Sequence, residues 1–208
     1  MKKFEITNIE KEVIRTRLFW IYFYYFDRIK IDDKYFEEKV NEFRDFLNKH
    51  KEEYPDDENN EMWNVLQIIE IIELKYRMKL MFITLMCEMF EQFLIDVLVK
   101  KLNLKKGLSF EDVKKIFSNF EFDIEKSTQW GKIKELRLLV NVIKHGDGES
   151  KKRLKKLRKD FFYDTKNSLG NTLNDMSLNV QEEDMNGYFF SILEFINDMP
   201  NEFKVKDE

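Results

Sequence analysis

Alanine is missing from this 208-residue chain altogether, and proline occurs only twice, at Pro55 and Pro200. Glycine occurs six times, histidine twice and cysteine once. Each scarcity excludes something. Few prolines and glycines leave few points at which a helix must stop, so long helices are expected. The single cysteine, Cys87, rules out an internal disulfide framework. One cysteine and two histidines also rule out the usual zinc ligand sets, and no cofactor is implied. Cys87 lies in an apolar run and reads as a small buried hydrophobe.

Long uninterrupted apolar runs are lacking too. LFWIYFYYF, Leu18 to Phe26, has nine residues between Arg17 and Asp27, and about 20 are needed to span a bilayer. LMFITLMCEMFEQFLIDVLV is longer, but Glu88, Glu91 and Asp96 interrupt it. No secretory signal is visible, so a soluble cytoplasmic protein with no membrane partner is expected. The aromatic run then reads as core or as a dimer face, with core the better fit.

What is present fits a globular chain. Hydrophobic residues make up 43% and charged residues 37%, a balance that argues against disorder. With 20 Phe, 8 Tyr and 9 Met, the core must be built from large side chains. The formal net charge of −4 gives no global case for nucleic acid.

The pattern predicts an all-α fold, one helical domain over residues 1–200 with a frayed tail over 201–208. A first helix is expected from Ile9 to Ile29. A second follows from a cap at Asp32 or Asp33 to about His50. YPDDENNE is an acidic loop. A long helix runs from about Met62 to Leu102, with Arg77 the candidate for a break. Ser109 caps a short helix with Asp112 at its third position. NFEFDIEKSTQ is a linker. A further helix runs from about Thr128 to Lys144, and Gly146 suits the left-handed residue after its end. Ser150 caps a basic helix through about Arg158. YDTKNSLGNTLNDMSLNV is the least structured stretch, with room for a short strand. Asn179 and Glu182 form the capping pair of a final helix.

The helix ending at His145 carries the most chemistry. At about 100° per residue, Ile133, Leu136, Leu139, Val140 and Ile143 form one broad apolar stripe. Arg137, Asn141 and His145 recur every fourth residue and share one polar edge. Leu138 and Val142 lie beyond that edge as a second, smaller apolar face. Such a face calls for a second partner, either another helix of the chain or a second subunit. Taken alone, a histidine in the last turn needs no function, because it favours the negative end of the helix dipole.

The stretch Leu136 to Ser150 fits the pattern L-R-L-x-x-N-x-x-K-H-G-x-G-x-S and resembles the signature helix of the HEPN superfamily. These are all-α proteins, many of them RNA-cutting toxins and antiviral effectors. Their motif is Arg, four to six intervening residues, then His, often with Asn directly after the Arg. Asn141, His145 and Gly146 match. The usual Arg position is Val140 here, and Arg137 is the candidate substitute. MFEQFL and YFFSILEFI extend the likeness loosely. The resemblance implies a HEPN-like helical bundle and metal-independent RNA cleavage by attack of the 2′-OH. His145 would be the acid–base group, Arg137 the phosphorane-stabilising cation, and Asn141 an orienting residue. About 12 Å of helix axis separates Arg137 from His145. The implied active form is therefore a homodimer, with Arg137 of one copy approaching His145 of the other across paired helices. The resemblance also implies an RNA substrate and an antitoxin or defence-system partner protein.

Two further features bear on that site. Between Lys126 and Lys159 there are twelve Lys or Arg against three Asp or Glu. Lys151, Lys152, Arg153, Lys155 and Lys156 directly follow the His145 loop. They read either as a phosphate-tracking patch or as a solvated helix face. Glu88 and Glu91 sit amid apolar residues and need partners if buried, which Arg137 or Lys144 could supply. Three functions stay open on this reading. The first is a HEPN-type endoribonuclease acting as toxin or antiphage effector. The second is a non-catalytic HEPN-like module that binds RNA, nucleotide or protein, favoured by Val140. The third is a plain helical scaffold, favoured by the acidic net charge.

Overall fold

Helices dominate the computed structural model, as a chain so poor in proline and glycine allows. It describes residues 3–25, 38, 41–42, 44–46, 48–49, 52, 59–105, 107–162 and 178–206, with side chains from residue 76 onward in the long helix. The fold is all-α apart from one two-stranded sheet. The helices are α1 (Asn8–Tyr24), α2 (Asn59–Leu102), α3 (Phe110–Asn119), α4 (Trp130–His145), α5 (Glu149–Leu157) and α6 (Glu182–Asp198). Strands β1 (Lys3–Glu5) and β2 (Glu202–Lys204) pair antiparallel. Among the described residues no helix is long and apolar enough to cross a membrane.

The chain divides into two compact units, residues 1–20 with 83–208, and residues 21–82, where the sequence suggested one. In the smaller unit Tyr25 packs on Phe82 at 5.3 Å between ring centroids. Most of the second predicted helix and the acidic loop lie outside the described residues, although the described positions from 38 to 49 are helical. The stretch expected to be least structured lies outside them from residue 163 to 177.

Local chemistry explains where the helices of the larger unit begin. Thr7 and Glu10 exchange bonds at the start of α1: the Thr7 N–H donates to Glu10 Oε2 at 2.9 Å, and the Glu10 N–H donates to Thr7 Oγ1 at 3.2 Å. Ser109 and Asp112 do the same for α3, as their spacing predicts. The predicted break near Arg77 is absent, and α2 runs unbroken for 44 residues. Helix α5 starts at Glu149, so Ser150 lies inside it rather than capping it. Helix α6 is capped by Gln181, whose N–H donates to Asp184 Oδ2 at 3.1 Å. Asn179 lies two residues ahead of that cap: its N–H bonds the Phe161 carbonyl at 2.7 Å, beside the bridge between Phe162 and Leu178, and its side-chain oxygen accepts from Gln181 Nε2.

The predicted frayed tail is corrected as well. Residues 202–204 form β2, and Val205 bridges to Phe120. The alternation responsible is short: Phe203 points inward between exposed Glu202 and Lys204. Phe203 stacks on Phe4 of β1 at 4.6 Å, and Phe4 meets Phe120 at 4.8 Å. Through Phe122 and Phe195 this aromatic chain reaches Phe90 of α2. Burial of the Phe203 ring against Phe4, Phe117 and Phe122 offsets the entropy of ordering this segment. Lys11 completes this end of the unit, buried and donating from Nζ to the Met199 carbonyl that follows α6.

Candidate functional site

Helix α4 packs against both α5 and α6. Its predicted core stripe is buried at Ile133, Leu136, Leu139 and Val140, while Ile143 is only half-buried. The second apolar face is buried too, with Leu138 at 6% and Val142 at 5% exposure within a single chain. The partner of that face is therefore this chain itself. A dimer interface through Leu138 and Val142, the basis for expecting a second subunit there, does not exist on the folded surface. Val140, at the usual HEPN arginine position, is 4% exposed and points into the core. An arginine there would bury a charge without a partner.

Arg137 lies on the half-buried edge of the same helix. Its Nε lies 2.5 Å from Glu91 Oε1 on α2, and its Nη1 lies 3.7 Å from Glu111 Oε1 on α3. The guanidinium stacks 3.8 Å from the ring centroid of Phe110. Phe110 is the first residue of α3, fixed by the Ser109 cap, and lies parallel to Trp130 at 6.3 Å. The Arg137 and Glu91 side chains retain 20% and 28% exposure, so the pair is shielded but within reach of solvent. Two turns along, Lys144 Nζ meets Glu88 Oε1 at 2.6 Å on a more open surface. Glu91 and Glu88 of α2 thus pair with Arg137 and Lys144 of α4, the partners the sequence offered. The Cys87 Sγ donates weakly to Glu91 Oε1 at 3.9 Å. Burial, and then the Glu91 charge, push its thiol pKa up, so it is an inert neighbour. Glu111 is held below the usual carboxylate range by its bond from Lys114 and by the nearby Arg137.

The polar edge of α4 emerges from the protein as it runs. Arg137 and Asn141 are half-buried, and His145 is exposed. Among the described residues neither Asn141 nor His145 makes a side-chain hydrogen bond or ion pair. The chain then turns at Gly146, whose φ of 67° is open to glycine and whose N–H bonds the Val142 carbonyl at 2.8 Å.

Helix α5 follows at once, and its basic residues divide by face. Leu154 is buried, and Lys151 pairs with Asp147. Lys152, Arg153, Lys155 and Lys156 are exposed. Lys155 Nζ lies 5.9 Å from the Phe162 ring, whereas Lys152, Arg153 and Lys156 have no ion-pair partner among the described residues. Arg158 belongs to neither group. Its Nη1 lies 2.7 Å from both Glu135 Oε1 of α4 and Asp184 Oδ1 of α6, and its Nη2 lies 2.7 Å from Asp160 Oδ2. Lys132 and the Tyr188 hydroxyl also reach Glu135 Oε1, at 2.7 and 2.8 Å. This clamp fixes the far end of α5.

Sequence reasoning missed the clamp, and it missed Phe110 and Glu111 around Arg137. The Ser109 cap signal did locate those two residues at a helix start, but nothing in it pointed toward α4. No family model, curated protein or solved structure matches this chain.

Proposed function

We propose that the chain is a HEPN-type endoribonuclease that cuts RNA without a metal ion, as a toxin or antiphage effector. One observation supports this reading above the others: an exposed imidazole at the end of α4 is followed, after a three-residue turn, by a helix face with exposed cations, none of them ion-paired among the described residues. Lys152, Arg153 and Lys156 would draw the phosphate backbone to the His145 end. The imidazole would take the 2′-OH proton. The 2′-oxygen then bonds to phosphorus, the bond to the 5′-oxygen breaks, and that oxygen leaves with a proton. One imidazole can accept a proton at one step and return it at the next. The products are a 2′,3′-cyclic phosphate and a 5′-hydroxyl. Arg137 is too far along α4 to serve the same phosphate as His145 of its own chain, so the reading keeps a homodimer. Its contact must use a surface other than Leu138 and Val142.

The second reading is a HEPN-like module that binds RNA, nucleotide or protein without cutting. It is favoured by Arg137 itself, which Glu91 and Phe110 already occupy. Cleavage of labelled RNA in EDTA separates the two. The first reading expects cyclic phosphate ends from the wild type and a loss of about 10²–10⁴-fold in His145→Ala. It also expects reversal of Lys152, Arg153 and Lys156 to weaken binding and flatten its salt dependence. Undiminished cutting by His145→Ala would reduce His145 to a helix end. Binding by a wild type that never cuts would establish the second reading.

A further inference from the structure

Each cation of the α4 polar edge is held by a carboxylate of α2, Arg137 by Glu91 and Lys144 by Glu88. Glu111 adds a third acid at 3.7 Å from Arg137. Counting Arg137, Lys144 and the Lys114 that holds Glu111 against Glu88, Glu91 and Glu111, the edge has no surplus positive charge to offer a phosphate. The basic face of α5 behaves differently, since Lys152, Arg153 and Lys156 point outward unpaired. The same stretch of chain therefore carries one set of cations that is available and another that is occupied.

The occupying groups imitate the ligand. A carboxylate presents to a guanidinium the same charged oxygens that a phosphate presents. The contact is intramolecular, so its effective concentration is high, and a single phosphate must compete with it. The two pairs differ in strength. Lys144 and Glu88 are 39% and 50% exposed, and solvent screens them. Arg137 and Glu91 are better shielded, and Phe110 holds the guanidinium plane from a third side.

We infer that Glu91 is an internal competitor for RNA phosphate at Arg137, and that this structure is the closed state of the edge. The inference rests on the RNA reading given above and adds a control to it. RNA first engages the open α5 face. Arg137 joins only when Glu91 is displaced.

The test is binding of a short oligouridine by the full chain across a salt series, with Glu91→Gln as the main variant. Glutamine keeps the shape and one acceptor but removes the competing charge. The expected result is a gain of roughly 10-fold at low salt. The logarithmic salt slope should steepen by about 0.7, the increment for one additional phosphate contact on a single strand. Adding Arg137→Gln to Glu91→Gln must abolish both effects, since the freed cation is then gone. Glu91→Asp, which withdraws the carboxylate but keeps its charge, should give a smaller gain. It also carries the test if circular dichroism shows that Glu91→Gln unfolds. A wild type that binds, with neither Glu91 variant gaining, overturns the inference and leaves the RNA reading standing. A gain that persists without Arg137 also overturns it, because simple loss of negative charge then explains the effect. No binding by wild type or variant at low salt removes the inference and the RNA reading together.

Discussion

Arg158 and Asp184 lie 2.7 Å apart, nitrogen to oxygen, and join the end of α5 to the first turn of α6. Both side chains are largely buried, at 19% and 11% exposure. Burial alone would lower the arginine pKa, but the bonds Arg158 donates to Asp160, Asp184 and Glu135 outweigh it and drive the value up. Removing one member strands the others. Arg158→Ala should therefore cost about 3 kcal/mol. Tyr188→Phe, which removes only one donor to Glu135, should cost about 1 kcal/mol. Urea denaturation measures both, and an unmoved midpoint in Arg158→Ala would show the network to be energetically idle.

The same network sets a dependence on acid. Arg158 holds the Asp160 carboxyl below its usual range, and Lys114 does so for Glu111. A carboxyl whose pKa is lowered by folding stabilises the fold above its unfolded value, near 4. That contribution disappears as pH falls through the lower folded value. Stability should accordingly be nearly flat from about pH 7 to 5 and decline below about pH 4. Arg158→Ala should make the decline shallower, since Asp160 then titrates alike in both states. Denaturant midpoints across pH test this, and an equal slope in the variant would exclude Asp160 as a contributor.

Leu138 supplies a prediction of a different kind. Its burial within one chain means that truncation opens a cavity rather than trimming an interface. Leu138→Ala should cost about 3 kcal/mol of folding stability. Light scattering should show the variant in the same oligomeric state as the wild type. A variant that kept its stability but lost a subunit would restore the dimer face that the fold denies.

Sequence reasoning reached furthest where one residue acts on its near neighbours. Ser109 with Asp112 and the glycine at 146 were legible because a cap and a helix end are local events. The pairing of Glu88 and Glu91 with Lys144 and Arg137 was legible for another reason. Acids in an apolar run need cations if buried, and Arg137 and Lys144 stood on one edge of α4. Leu138 and Val142 show the limit. A wheel displays a second apolar face without saying whether α5, α6 or another copy covers it. Arg158 was hidden inside a basic run, where composition cannot separate a clamped cation from its free neighbours. Phe203 was hidden by its position near the end of the chain, since three residues of alternation are too few to announce a strand.

Two glycines bracket α4 and should respond to alanine with opposite signs. Gly131 lies in the first turn, with a φ outside the positive range and no atom within 4 Å of the place a Cβ would take. Alanine there restricts the unfolded chain and fits the folded one, so Gly131→Ala should stabilise by up to about 1 kcal/mol. Gly146 is equally free of neighbours within 4 Å, but its φ is 67° and its ψ is −123°. The penalty for Gly146→Ala is therefore torsional and not steric crowding by another residue, about 1–3 kcal/mol. Relief of that strain would re-aim the turn that follows His145. RNA cleavage should thus fall in Gly146→Ala even where the protein is fully folded, and remain unchanged in Gly131→Ala. Urea midpoints and cleavage rates measured on the same preparations decide it. A stabilised Gly146→Ala would mean that the turn adopts another conformation in solution.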